Sequence, residues 1–223
     1  MTTDIPQAST LVTLTQPRSP ASEAYRTLRT NIQFASLDKP LKTLLVTSTD
    51  PGEGKSTTLA NLAVTMAQAG NQVIVVDCDL RRPNLHRLFA LDNTSGLTTM
   101  MTESAAREQP PLQDTGVANL RLLASGTLPP NPSELLSSRR LDETMARLTQ
   151  VADIVLFDSP PIVAVADAAI LASKVDGVLV VMQAGKTKRD LARRARLLLE
   201  KANAHVLGVV LTNAPVETGL YRY

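Results

Sequence analysis

Tryptophan is absent from this 223-residue chain, and only three phenylalanines and three tyrosines are present. Base-stacking platforms need aromatic faces, so no nucleic-acid partner is expected. A single cysteine, Cys78, excludes an intrachain disulfide and fits a reducing compartment. The two histidines, His86 and His205, stand alone and offer no ligand spacing for a metal. An excess of one charge is missing too: 23 Lys and Arg against 21 Asp and Glu leave +2, which demands no polyanionic partner. No apolar run reaches the length of a membrane span, and the first residues lack the basic-then-apolar pattern of a signal peptide. The expected location is cytoplasmic, with any recruitment to the inner face of the cell membrane made through a partner.

What the chain does have is one organising stretch, Leu44 to Thr58, within a length that suits a single domain. Leu44, Leu45 and Val46 read as a short buried strand, broken by Asp50-Pro51-Gly52-Glu53-Gly54. Leu59, Leu62, Ala63 and Met66 then recur with helical period, and Gly70 is placed to end the helix. Strand, loop and helix in this order put the segment from Gly52 to Thr57 at a helix N-terminus, where backbone amides point at an anion. Gly52 and Gly54 let the backbone approach phosphate oxygens. Lys55 can reach β- and γ-phosphates, Ser56 can ligate Mg²⁺, and Thr57 is placed for the α-phosphate. Thr49 stands where the generic pattern has its first glycine.

Two further apolar strands end in aspartates. Val73 to Val76 runs into Asp77-Cys78-Asp79-Leu80-Arg81-Arg82-Pro83, and strand alternation puts Asp77 and Asp79 on one face with Cys78 on the other. Carboxylates at the carboxyl end of a parallel strand suit a hydrated Mg²⁺. The competing reading is a turn cap and an ion pair with Arg81 or Arg82. Cys78 reads as a packing residue. Ile154 to Phe157 ends in Asp158-Ser159-Pro160-Pro161, and Asp158 is either a second carboxylate directed at Mg²⁺ or a simple turn residue.

The remaining segments divide the chain into residues 1–18, 19–213 and 214–223. Met1 to Arg18, rich in Thr, Ser and Pro, reads as a loosely attached arm outside the core. Ser19-Pro20 starts a helix with Tyr25, Leu28 and Ile32 on its apolar stripe; Glu23, Arg26 and Arg29 lie beside it at i,i+3 spacing, as a solvated face by spacing alone. Residues 84–113 are irregular, with short helices near 85–91 and 97–101. Leu120 to Leu123 reads as strand; Asn131, Pro132 and Glu134 mark an N-cap, first position and capping-box site. Helix from Asp167, strand from Gly177, helix from Thr187 and strand from Val206 follow. The alternation predicts an α/β fold, a phosphate-loop NTPase-like parallel sheet with helices on both faces. Lys186, Lys188, Arg189, Arg193, Arg194 and Arg196 make the last helix basic, with Leu191, Ala195, Leu198 and Ala202 facing the core. A solvated face is the favoured reading over attraction to an acidic partner or the inner membrane surface.

Together, Pro51 to Thr57, the Asp77 to Pro83 run and the strand ending Asp158-Ser159-Pro160-Pro161 resemble the three Walker-type motifs of bacterial tyrosine kinases. Glu23-x-x-Arg26-x-x-Arg29 is similar to the family's oligomerisation motif, and Leu128 to Leu136 is similar to another family segment. The resemblance spans about Ser19 to Asn213. It implies a kinase domain at 19–213 of a stand-alone cytoplasmic type that transfers the γ-phosphoryl of MgATP to tyrosine in trans, in capsular or exopolysaccharide production. Lys55 would hold β- and γ-phosphates, Ser56, Asp79 and Asp158 would organise Mg²⁺, and Asp77, grouped with the metal-directed carboxylates, would orient or deprotonate the tyrosine. Asn213 would contact adenine, and Tyr221 and Tyr223 in the 214–223 tail would be acceptors. A ring-like homo-oligomer and a separate transmembrane activator of the chain-length-regulator type would be the partners. Two alternatives stay open: a partitioning or division-site ATPase switch, and a non-enzymatic nucleotide-gated scaffold.

Overall fold

The computed structural model describes residues 11–36 and 40–214, the side chains of 105 and 107 excepted. Tyr221 and Tyr223, and the first ten residues of the arm, lie outside that range. In chain order the elements are α1 (Val12–Thr15), α2 (Pro20–Ala35), β1 (Thr43–Ser48), α3 (Lys55–Gln68), β2 (Val73–Asp77), α4 (Leu85–Leu88), α5 (Leu97–Thr102), α6 (Ser104–Glu108), β3 (Gln113–Asp114) and β4 (Leu120–Leu123). Then come α7 (Pro132–Ser137), α8 (Arg139–Leu148), β5 (Ile154–Asp158), α9 (Asp167–Ala172), β6 (Gly177–Gln183), α10 (Arg189–Lys201) and β7 (Val206–Thr212). Short α1, α6 and β3 are the elements that periodicity does not reveal, being too brief to show a period.

The strands form one sheet in the order β3-β4-β2-β5-β1-β6-β7, parallel except for β3. β1, β2 and β5 are buried along their whole length, which is why they read as unbroken apolar runs rather than alternating ones. Each face carries its own core. Ile74, Val76, Val155 and Phe157 pack with Leu141, Leu171, Ala195 and Leu199 under α8, α9 and α10. Leu44, Val46, Val75 and Leu156 pack on the other face with Leu59, Leu62, Ile32 and Leu85. Among the described residues, no helix is long and apolar enough to cross a membrane.

Residues 11–18 are not a loose arm, and the sequence expectation is corrected there. Leu11 is fully buried in the second core, and Thr13 donates from its backbone N and its hydroxyl to Asn61 Oδ1 at 3.0 and 2.9 Å. The Ser22 hydroxyl, buried in the first turn of α2, donates to the Val12 and Gln16 carbonyls at 3.1 and 2.7 Å. A segment this short, with Leu11 buried, Leu14 partly buried against the same core and the rest of its anchoring made by polar groups, shows no period, so composition alone misassigns it. The Asn61→Ala protein is expected to lose about 1–3 kcal/mol, the range for leaving buried donors unmet. Urea unfolding together with proteolysis near residues 11–18 checks this. Unchanged stability would mean that Leu11 burial alone holds the segment.

Ser19 caps α2 as expected, accepting from Ser22 N. Asn131 and Pro132 open α7 as expected, but no capping box forms, because the Asn131 amide turns to Glu134 Oε2 at 3.3 Å.

Candidate active site

Because β5 lies between β1 and β2, the carboxyl ends of these three strands are neighbours, and the loops that leave them meet at one place. The loop after β1 is shaped by two left-handed residues, Gly52 at φ +78° and Gly54 at φ +88°. A side chain at Gly52 would meet nothing within 4 Å, so backbone conformation rather than space calls for glycine there. Gly54 is the N-cap of α3, leaving the first amides of that helix pointing out of its end.

Lys55 Nζ stands at the centre, 3.0 Å from Asp79 Oδ2, 3.3 Å from the Asp158 carboxylate and 3.1 Å from Ser56 Oγ. The Ser56 hydroxyl in turn donates to Asp158 Oδ2. Burial works against the Lys55 ammonium, but the attraction of Asp158 and Asp79 outweighs it and the net shift is upward. Burial also pushes the Asp158 carboxyl up, and Lys55 and Ser56 only partly offset it. Asp77 faces Asp158 across the β2–β5 pair, and burial followed by repulsion from Asp158 raises it to about 7. Its Oδ2 accepts from Asn84 N and Leu85 N, both at 2.9 Å, and its Oδ1 accepts from Asp79 N at 3.2 Å. Cys78 between them is buried, and burial pushes its thiol well above the ordinary range, as suits a packing residue.

Three carboxylates around one ammonium leave a buried excess of negative charge. Hydroxyl and carboxylate oxygens in such a setting suit a hard dication. Among the described residues, no three carboxylate, imidazole or thiol side chains close a metal cage by themselves. That is compatible with an ion taking most of its ligands from phosphate and water.

In front of Lys55 opens a cleft of about 650 Å³, walled by the phosphate loop, Asp79, Arg81, Arg82 and the Pro160-Pro161 turn. Gly52, Gly54, Ser56 and Thr57 line it; Glu53 and Asn213 do not. Glu53 turns inward, where its carboxylate accepts from Thr49 N and Asp50 N at 2.9 Å and from the hydroxyls of Thr49 and Thr187. Its carbonyl accepts from Thr212 Oγ1 at 2.8 Å. The side chain therefore shapes the loop rather than lining the cleft, which narrows the sequence reading of Glu53. The Glu53→Gln protein is expected to bind nucleotide about tenfold more weakly, the worth of one charge-assisted hydrogen bond. Titration calorimetry checks it, and unchanged affinity would show that the loop keeps its shape unaided. Asn213 sits exposed just past Thr212, at φ +53°.

Sequence spacing gives no hint of the brace beside the cleft. Arg81 binds Asp167 through Nε at 2.8 Å and Nη2 at 3.2 Å, and Ser133 donates to the same carboxylate. Burial pushes Asp167 up, but these hydrogen bonds outweigh it and hold the carboxyl below its ordinary value. The brace joins the turn after β2, the first turn of α7 and the start of α9. Nothing in residues 34 to 86 positions apart announces such a pairing. Far from the cleft, Glu23 pairs with Arg26, while Arg29 Nη1 donates within the chain to Thr65 O at 2.8 Å.

A glycine-turned loop at the head of α3, facing aspartates from two neighbouring strands, is the anatomy of a phosphate-loop nucleotide-binding protein. Residues 40–215 match the family profile described as ParA, NUBPL iron-transfer P-loop NTPase. Narrower likeness is to kinases. The chain is 45% identical over 201 residues to the tyrosine-protein kinase YwqD of Bacillus subtilis (strain 168), covering 90% of this chain and 84% of that one. It is 36% identical over 200 residues to the tyrosine-protein kinase CpsD of Streptococcus agalactiae, covering 89% and 86%. The crystal structure of the chimerical protein CapA2B2 superposes with a TM-score of 0.88 at 37% identity, covering 92% and 90%. The chain belongs to the bacterial tyrosine-protein kinases, within the ParA group of P-loop NTPases.

Proposed function

We propose that this chain is an ATP-dependent protein-tyrosine autokinase of capsular or exopolysaccharide production, transferring the γ-phosphoryl of ATP to tyrosines of a neighbouring copy. The observation that carries the reading is Lys55 held between Asp79 and Asp158 at the head of the phosphate loop. Phosphoryl transfer needs in-line positioning and charge neutralisation more than covalent help. Lys55 and the α3 amides neutralise the phosphates, and Thr57 reaches the α-phosphate. Ser56, Asp79 and Asp158 would hold Mg²⁺, which supplies further neutralisation of phosphate charge when bound. Asp77, with a carboxyl tuned to about 7, is suited to hold the tyrosine proton near neutral pH. Asn213, one residue past the Thr212 tie, is the adenine contact. Glu23 and Arg26 lie on the face joining copies into a ring, Arg29 supports that face from behind, and Tyr221 and Tyr223 are the acceptors. A separate transmembrane activator presents the chain to the inner membrane face.

A second reading draws on one observation: Asp77 is wholly buried and carries three backbone N–H bonds, as a strut for the turn from Asp79 to Leu85 would. On that reading the site binds nucleotide and gates assembly without transfer. Labelled MgATP with the wild type and the Asp77→Asn protein, each with and without an activator's cytoplasmic segment, separates the two. Phosphotyrosine at Tyr221 or Tyr223 that vanishes in the variant while ATP binding persists supports the kinase. Binding without labelled tyrosine in any arm refutes it.

A further inference from the structure

The kinase reading leaves one strongly patterned surface unused. Over residues 186–201 seven Lys and Arg stand against two acidic residues, a net +5, while the remainder of the chain carries −3. All seven are exposed. Arg193 and Arg196 pair with Asp190 and Glu200 on their own helix, and Lys186, Lys188, Arg189, Arg194 and Lys201 make no ion pair among the described residues. Ala195 and Leu199 hold the opposite side of α10 on the core.

The second observation is apolar. Leu197, 56% exposed, is four residues from Arg193 and Lys201 and three from Arg194, so it rises from the middle of the cations. Beside the helix runs edge strand β7. Its register pairs Val206 with Val178, Val209 with Val180 and Leu211 with Met182, whose side chains pack in the same core as Ala195 and Leu199. Residues paired across a parallel ladder share a face. Val206, Val209 and Leu211 therefore stand on the α10 side of the sheet, and they remain 42%, 52% and 59% exposed, with no helix among the described residues covering the edge.

Aliphatic side chains set among guanidinium and ammonium groups, with no aromatic ring between them among the described residues, match the surface of an anionic bilayer. The cations meet lipid phosphates and carboxylates while Leu197 and the β7 edge reach the headgroup boundary. A net negative remainder makes the same field orient the chain as well as attract it. We propose that α10 and the exposed edge of β7 form a docking face for the anionic inner leaflet, direct and additional to any protein recruiter. The proposal rests on charge and exposure alone and is independent of the kinase reading.

The test uses the purified full chain and sedimentable vesicles of phosphatidylcholine with about 30% phosphatidylserine, against phosphatidylcholine alone. Expected is binding to the anionic vesicles only, lost when salt rises from about 0.1 to 0.5 M as the Debye length shrinks. The Arg193→Gln, Arg194→Gln, Arg196→Gln protein should bind at least tenfold more weakly. A charge-matched control, Arg87→Gln, Arg121→Gln, Arg139→Gln, should keep its affinity. Leu197→Ser, which leaves the charge unchanged, should weaken binding several-fold and separates insertion from attraction. Circular dichroism confirms that each variant is folded. Equal loss in the control triple, no binding to anionic vesicles, or tighter binding to duplex DNA than to vesicles would each overturn the proposal.

Discussion

The Lys55→Met protein is expected to lose phosphoryl transfer by about 10³-fold or more, with nucleotide affinity falling in parallel. Single groups that neutralise charge developing in a transition state are worth about 10²–10³, and Lys55 also contributes to ground-state binding of the phosphates. The structure adds a consequence beyond catalysis. Lys55 is the cation between Asp79 and Asp158, 3.0 and 3.3 Å away. Removing one member of a buried ion pair costs about 3–5 kcal/mol unless the orphaned carboxylate takes up a proton. The Asp158 carboxyl, already pushed up by burial, loses the ammonium that opposes that push. The variant should therefore unfold more easily at pH 8 than at pH 5 relative to wild type. Transfer assays, titration calorimetry and urea melts at both pH values test this. A variant as stable as wild type at pH 8 would show that solvent, not Lys55, balances the carboxylates.

The Asp77→Asn protein is expected to be more stable than wild type at pH 8 when metal and nucleotide are withheld. The sign follows from proton counting. Asp77 titrates near 7 in the folded chain against 3.8 for an ordinary aspartate, so between those values the folded state binds more protons than the unfolded one. The contribution of Asp77 to wild-type stability is then full below about pH 4, falls as pH rises towards 7 and is flat above. Asparagine cannot ionise and keeps an acceptor for the Asn84 and Leu85 amides, so the variant loses this slope. The gap should reach on the order of 2–4 kcal/mol at pH 8, at about 1.4 kcal/mol per unit of displacement, and close near pH 4. Urea unfolding in EDTA measures it. Parallel pH profiles for the two proteins would mean that Asp77 titrates normally. The gain in stability would accompany the loss of transfer, the exchange expected where a strained site is kept for function.

Much of this arrangement is legible in the sequence because local pattern dictates it. Buried central strands need unbroken apolar runs, and Leu44 to Val46, Val73 to Val76 and Ile154 to Phe157 are such runs. The Gly52 and Gly54 turn, Lys55 and the strand-end aspartates follow from position alone. What escapes the sequence depends on side-chain direction and on distant partners. Glu53 stands between two glycines of the loop, yet its carboxylate turns inward to Thr49 and Thr187. Arg81 reads as a partner for nearby aspartates, and its real partner, Asp167, lies 86 positions away. Leu11 and Thr13 carry no period, so their docking on α3 is invisible until Asn61 is seen to receive them.

The strand order also sets a timetable for synthesis. β1 and β2 never touch, and β5 fills the place between them. As the chain leaves the ribosome, the phosphate loop and both Asp77 and Asp79 are made long before Asp158, which completes their surroundings. Until residue 158 is available, two strands that are buried along their whole length in the finished fold have their facing edges open, a state prone to wrong pairing and to capture by other chains. Nucleotide therefore cannot rescue a nascent fragment that stops short of β5. Folding intermediates should be most vulnerable to aggregation in the interval between the emergence of β2 and that of β5.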